Sequence, residues 1–133
     1  PTPGPQLDIA IVAYRSRDLL RACLDSLRAH PPEGGARTVV VDNASGDGTV
    51  EIVRSEYPEV ELHASGENLG FAAATNLGAR SGRAPYVLAL NPDTAVTDGA
   101  LDTALAARLR ADLAADNAAL AEWLGRDLSS WGA

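Results

Sequence analysis

The feature that most constrains this chain is the run Thr38-Val39-Val40-Val41, which leads straight into Asp42-Asn43. Four β-branched residues follow one another with no polar alternation, so a strand built from them must be buried on both faces. Strands of that kind sit inside parallel sheets, with helices covering both sides. The next residues, Ala44-Ser45-Gly46-Asp47-Gly48-Thr49, are small and turn-forming, and they give way to a helical pattern. In open parallel sheets, ligands bind beyond the carboxyl ends of the strands. Asp42 and Asn43 stand at that end.

The neighbouring segments supply a sheet and its helices. Leu7 to Tyr14 reads as a first buried strand. Ser16 is placed to cap a helix, with Asp18 in its first turn. Leu19, Leu20, Cys23, Leu24 and Leu27 then form one apolar stripe, and Pro31-Pro32 ends the helix near His30. The central strand runs from about Arg37 to Asp42. Asp47 or Ser45 caps a second helix, about Gly48 to Glu56, which Pro58 ends. Val60 to His63 is a short third strand. After the loop Ser65-Gly66-Glu67-Asn68-Leu69-Gly70, a third, alanine-rich helix runs from about Phe71 to Arg80. Pro85 to Leu90 is a fourth strand, apolar throughout, and it runs into Asn91-Pro92-Asp93-Thr94.

This β-α-β-α-β-α-β order, with right-handed crossovers, predicts an α/β, Rossmann-like, doubly wound parallel sheet of order 3-2-1-4. Residues 1–6 are expected to be a flexible lead-in and residues 7–97 one α/β domain. Residues 98–133 are expected to be C-terminal helices packed on it, marked by Leu101, Leu105, Leu109, Leu113, Leu120 and Leu124 and closed by Trp123, Leu128 and Trp131. A fourth strand left at a sheet edge needs cover, either from those helices or from a second copy of the chain in a homodimer.

Charge and composition narrow the function. The net charge of −7 argues against nucleic acid, which needs a basic face. In so acidic a chain a phosphate ligand calls for a metal ion or helix N-termini. No apolar run approaches the roughly 20 residues that cross a bilayer. No signal peptide is apparent at the start, and the single cysteine, Cys23, fits a cytoplasmic chain without a disulfide framework. Cys23 lies on the apolar stripe and reads as core, while His30 and His63 have no ligand-spaced partner.

Three polar clusters follow strands: Tyr14-Arg15, Asp42-Asn43 and Asn91-Pro92-Asp93. A parallel sheet brings all three to one edge, together with the N-terminus of the helix after Asn68-Leu69-Gly70. A base could stack on the aromatic ring, and one carboxylate could take base or ribose hydrogens. A second carboxylate could hold a divalent cation against a diphosphate. Asp42 and Asp93 are also good turn residues in their own right. Arg15 either reaches a phosphate or faces solvent. The Gly-x-Gly-x-x-Gly of dinucleotide-binding folds is absent after the first strand, as is any Gly-rich loop with Lys and Ser/Thr.

These residues carry a resemblance. Val39 to Thr49 resembles the Val-Asp-Asn-x-Ser-x-Asp-Gly-Thr signature of family 2 glycosyltransferases. Asn68-Leu69-Gly70-Phe71 with Asn76-Leu77-Gly78 is similar to a segment of that family's rhamnosyltransferase-like branch. Leu90-Asn91-Pro92-Asp93-Thr94 is similar to its version of the Asp-x-Asp metal motif. The resemblance implies the donor-binding half of a GT-A fold, truncated before the acceptor half, and a UDP- or dTDP-sugar donor. It assigns Tyr14, Asp42, Asn43, Asn68, Gly70 and Asn91 to the nucleotide-sugar site and Asp93 to Mg²⁺ or Mn²⁺. The implied reaction is transfer of the sugar to an acceptor hydroxyl with inversion, and the general base is expected in the acceptor half. The chain departs from the family's usual Thr-Tyr-Asn after the first strand, with Ala13-Tyr14-Arg15 in its place. The tail from Ala115 to Trp131 weakly resembles the terminal helix of PAPS-dependent sulfotransferases. A chain that keeps the fold without turnover is the alternative.

Overall fold

The computed structural model describes residues 4–101. Its elements follow the expected alternation: β1 Leu7–Ala13, α1 Arg17–Ala29, β2 Ala36–Asp42, α2 Thr49–Glu56, β3 Glu61–Ala64, α3 Phe71–Arg80 and β4 Tyr86–Leu90. The four strands form one sheet in the order β3-β2-β1-β4. Every pairing is parallel, with Ala13 opposite Asp42, Asp42 opposite Ala64 and Ile11 opposite Leu90.

Strand alternation divides the core between two faces. Ile9, Ile11, Ala13 and Val40 point toward α1 and α2, where they pack with Leu20, Cys23, Leu24, Leu27, Val53 and Tyr57. On the other face, Val12 and Val41 pack against Ala74 of α3. A Cβ on Gly78 would stand 3.2 Å from that of Ala10, so α3 lies close against the middle of the sheet. The run Val39–Val41 is fully buried, as its lack of polar alternation requires.

β4 behaves differently. Tyr86, Leu88 and Leu90 are half-buried, but Val87 and Ala89 on the alternate face are exposed. The reason is coverage, because the buried contacts of α3 fall on β1 and β2 rather than on the edge strand. From Leu90 the chain turns back along α1. The Val96 N–H donates to Ser26 Oγ at 2.9 Å, and Leu101 packs against the α1-side core. The segment expected to be helical lies outside the described residues from residue 102 onward. No described helix is long and apolar enough to cross a membrane.

The amino edge of the sheet is closed by charge. Asp8 is buried and sits opposite Arg37 in the β1–β2 register. Its Oδ1 accepts from Arg37 Nη1 at 3.2 Å and its Oδ2 from the Ala84 N–H at 2.9 Å. Arg37 Nη2 also donates to Glu61 Oε2 at 2.7 Å and to Ser81 Oγ at 2.6 Å. One guanidinium therefore joins β1, β2, β3 and the entry to β4.

Candidate functional site

The carboxyl edge is built the opposite way, from short polar side chains that close the loops. The ladder is extended there by the Asn43 N–H to the Ala13 carbonyl and the Ser65 N–H to the Asp42 carbonyl, both at 2.9 Å. The loops after β1, β2 and β3 are thus stitched to one another before any ligand is considered.

Asp47 is the principal staple. Its Oδ1 accepts from the Thr49 N–H at 3.1 Å and from Thr49 Oγ1 at 2.6 Å, at the start of α2. Its Oδ2 accepts from the Arg17 N–H at 3.2 Å, at the start of α1. One carboxylate therefore serves two helix N-termini, where negative charge is favoured. Burial would raise the Asp47 carboxyl, but the hydrogen bonds from Thr49 and the Arg17 backbone outweigh it and hold the carboxyl below its usual range. Ser16, the residue expected to cap α1, stands at the cap position but makes no side-chain cap bond. Its Oγ is buried without a partner among the described residues. Asp47 has taken that role from 30 residues away.

Asp42, at the end of β2, is 3 % exposed. Its Oδ2 accepts from the Ser45 N–H at 3.2 Å, which closes the turn. Its Oδ1 is buried and has no hydrogen-bond partner among the described residues. The turn chemistry of Asp42 thus uses one oxygen and leaves the other over. Ser45 in turn accepts from the Arg15 N–H at 2.9 Å, so the β1 and β2 loops are joined next to Asp42.

Asn43 is 2 % exposed and spends its amide on the protein. Oδ1 accepts from the Leu69 N–H at 3.0 Å, and Nδ2 donates to the Gly70 carbonyl at 3.3 Å. The side chain clasps the loop that leads into α3. Within that loop, Asn68 Oδ1 accepts from the Gly70 N–H at 2.9 Å, and Asn68, Leu69 and Gly70 are exposed.

The third cluster follows β4. Asn91 and Asp93 are exposed, and the Thr94 N–H donates to the Asn91 carbonyl at 3.1 Å, which closes a tight turn. Cys23 lies beneath it, its Sγ 3.9 Å from the same carbonyl. Burial pushes the thiol up to about 11, and the charge of Asp93 adds to the shift. The Asp93 carboxylate has no hydrogen bond or ion pair among the described residues. Among the described residues no three His, Cys, Asp or Glu side chains converge there to cage a metal. An ion held by Asp93 would take its other ligands from substrate oxygens and water, which is how Mg²⁺ and Mn²⁺ sites on substrate phosphates are built.

Because β1 lies between β2 and β4, Tyr14 stands between the Asp42 cluster and the Asn91–Asp93 turn. Two strand spacings separate those flanks at the backbone, about 10 Å. Tyr14 is 46 % exposed. The fold thus brings Tyr14, Asp42, Asn43, Asn68, Gly70, Asn91 and Asp93 to one edge. Of these, Asp42 is buried with a spare oxygen, Asn43 is engaged with the loop, and Tyr14, Asn68, Gly70, Asn91 and Asp93 face solvent. The sequence marks Asp47 and Ser45 only as alternative caps for the second helix. Their bonds to Arg17 and Arg15 join distant loops and carry no local sequence signal.

Comparison with known proteins agrees with this fold. The family model for glycosyl transferase family 2 matches residues 8–120. The chain is 32 % identical over 115 residues to the N-acetylglucosaminyl-diphospho-decaprenol L-rhamnosyltransferase of Mycobacterium tuberculosis, a match covering 78 % of this chain and 37 % of that protein. It therefore spans little more than a third of the relative. Among solved structures, residues 1–349 of S. aureus TarS superpose with a TM-score of 0.66 at 22 % identity, covering 80 % of this chain and 32 % of that fragment. The mannosyltransferase PcManGT of Pyrobaculum calidifontis, solved with GDP-Man and Mn²⁺, gives a TM-score of 0.61 at 28 % identity, covering 71 % and 29 %. Together the family match, the strand order 3-2-1-4 and the GT-A neighbours establish that this chain belongs to glycosyltransferase family 2 and carries the N-terminal portion of its fold.

Proposed function

We propose that the chain binds a nucleotide diphosphosugar at the carboxyl edge of its sheet, for transfer of the sugar to an acceptor hydroxyl. The observation that carries this reading is Asp42 Oδ1, a carboxylate oxygen buried at a strand end without a partner among the described residues. Such an atom costs about 1–3 kcal/mol unless something donates to it. In this reading the donor is an N–H of the base or an O–H of the ribose. The exposed ring of Tyr14 lies against the base. Asn68, Gly70 and Asn91 line the donor pocket, and Asn43 acts through the loop it holds. Asp93 is the ligand for Mg²⁺ or Mn²⁺, and the bound ion would offset diphosphate charge and ease departure of the leaving group. The nucleotides present in TarS, solved with UDP and with UDP-GlcNAc, and the Mn²⁺ in PcManGT support this assignment. A UDP- or dTDP-sugar is the proposed donor, and the cytoplasm the proposed setting.

The acceptor oxygen forms its bond to the anomeric carbon as the bond from that carbon to the diphosphate breaks. The electron pair leaves with the nucleoside diphosphate, and the hydroxyl proton goes to a general base. Attack opposite the leaving group inverts the anomeric centre. No residue of this chain is assigned as that base.

Titration calorimetry with UDP and dTDP, with and without Mn²⁺, tests the reading. Binding is expected in both conditions and tighter with Mn²⁺. Asp93→Ala removes the Mn²⁺ gain, and Asp42→Ala weakens binding about tenfold or more. Absence of nucleotide binding in every condition overturns the proposal. A second reading is binding without turnover, and the same variants test it. Donor hydrolysis or transfer that depends on Asp93 would rule that second reading out.

A further inference from the structure

Arg15 stands out once the other charges are accounted for. Arg17, Arg21, Arg28 and Arg37 are each paired with a carboxylate. Arg54 and Arg80 lie in the last turns of α2 and α3, and Arg83 lies just before β4, so all three belong to the amino edge. Among the described residues Arg15 is therefore the one arginine at the carboxyl edge without an acidic partner.

Its backbone is held in an unusual conformation. Arg15 has φ +51°, and among the described residues only Ala44 shares a positive φ without being glycine. Left-handed backbone disfavours a long side chain and persists only where surrounding contacts enforce it. Here the contact is the bond from the Arg15 N–H to Ser45 Oγ, with the Ser45 N–H bonded to Asp42. Arg15 is thus fixed through Ser45 to the residue with the spare carboxylate oxygen. The guanidinium carbon then lies 5.2 Å from the centroid of the Tyr14 ring. Stacking uses the flat face of a guanidinium and leaves its N–H edge free for a planar or tetrahedral anion. An open depression beside it is lined by Arg15, Ser16, Arg17, Asp18, Leu19 and Asp47.

We infer that Arg15 is the protein's own cation for the donor diphosphate, poised on Tyr14 with its N–H edge toward the phosphate oxygens. The inference rests on the proposed nucleotide site and adds to it a component of binding that needs no metal. In a chain of net charge −7, with Asp42 and Asp93 at the same edge, an anion gains from such a group.

The test uses Arg15→Asn, because asparagine adopts left-handed backbone readily and carries no charge. A matching urea midpoint shows that the variant is folded; if it is not, Arg15→Lys supplies the comparison, since it keeps the charge but loses the stacked fork. Affinities for UDP and for uridine are measured in EDTA and again in Mn²⁺. The expected result is about tenfold weaker UDP binding in EDTA, unchanged uridine binding, and a shallower dependence of UDP affinity on salt. An equal loss for UDP and uridine overturns the inference, because Arg15 would then act on the base through Tyr14. Unchanged UDP binding in EDTA overturns it as well. Failure of the wild-type chain to bind any nucleotide is a different result, and it removes the underlying site rather than the role of Arg15 alone.

Discussion

Asn43→Ala should loosen the loop before α3 and weaken the fold by a calculable amount. The side chain makes two bonds to loop backbone, at 3.0 Å to the Leu69 N–H and at 3.3 Å to the Gly70 carbonyl. A neutral hydrogen bond contributes about 1 kcal/mol net, and the longer bond falls at the lower end of the range. Leu69 and Gly70 are exposed, so water can satisfy both groups after the substitution and no orphan penalty is added. The expected loss is about 1.5 kcal/mol, or close to 1 M in urea midpoint for a domain of this size. The Asn43 N–H bond to Ala13 is made by backbone and survives. Amide exchange at Leu69 should therefore accelerate much more than exchange in β1 or β2. Asn43→Asp separates the two bonds, because it keeps the acceptor for Leu69 but turns an anion toward the Gly70 carbonyl. It should be at least as destabilising at pH 7 and should recover partly once the introduced carboxyl is protonated. A loss below about 0.5 kcal/mol in Asn43→Ala, with Leu69 exchange unchanged, would refute the idea that this amide holds the loop.

Three further outcomes follow from specific contacts. In Gly82→Ala the new Cβ would meet Asp8 Oδ2 at 1.9 Å and Arg37 Nη1 at 2.5 Å, and it would force apart a buried pair already bonded to Ala84; a loss of about 3 kcal/mol is expected by urea denaturation, and a loss under 1 kcal/mol would mean the pair relaxes freely. The Asp47 carboxyl is held below its usual range, so its contribution is present above the unfolded-state value near pH 4 and is lost as pH falls through the folded value; Asp47→Ala should flatten that part of the acid-stability profile, and an unchanged profile would refute the role. Cys23 is fully buried with its thiol pushed up to about 11, so a thiol reagent at pH 8 should label it only at the rate of unfolding, and rapid labelling of the native chain would contradict the packing beneath the Asn91–Asp93 turn.

The layout was legible because each element carries a local signature. Val39–Val41 had to be buried on both faces. The Leu20, Cys23, Leu24, Leu27 stripe ended at Pro31-Pro32, and the alanine-rich helix occupies the expected Phe71–Arg80. The strand ends moved by a residue: β3 is Glu61–Ala64 against the expected Val60 to His63, and β4 begins at Tyr86 rather than at Pro85, which has no N–H for the ladder. Burial of β4 was not legible, since an apolar sequence does not say whether a helix will cover its second face. The cap of α1 was not legible for the same kind of reason, whereas Asp47 does serve the start of α2 as its residue type suggests. Ser16 has the right residue type at the right place, yet the bond comes from Asp47, and sequence periodicity carries no information about a contact across 30 residues. One long-range pair did leave a trace: Asp8, an acid inside an apolar strand, requires a buried partner, and Arg37 occupies the register position opposite.

The two edges of the sheet show why the site residues stand out physically. At the amino edge Asp8 and Arg37 satisfy each other together with Glu61, Ser81 and Ala84, so that buried cluster has no polar atom to spare. At the carboxyl edge most polar groups are also spent, with Asp47 on two helix starts, Asn43 on the α3 loop, Ser45 on Arg15 and Asn68 on Gly70. The exceptions among the described residues include Ser16 Oγ, Asp42 Oδ1, the Asp93 carboxylate and the Arg15 guanidinium. Among the described residues, both non-glycine positions with positive φ, Arg15 and Ala44, flank the same Asp42 turn. Strain and an unfilled buried acceptor are features that a sequence under selection for stability alone would lose, because ordinary substitutions relieve them. In the proposed reading these features serve a ligand at that edge, with an anionic part for Arg15 and hydrogen-bond donors for Asp42. A nucleoside diphosphate carries both in one molecule.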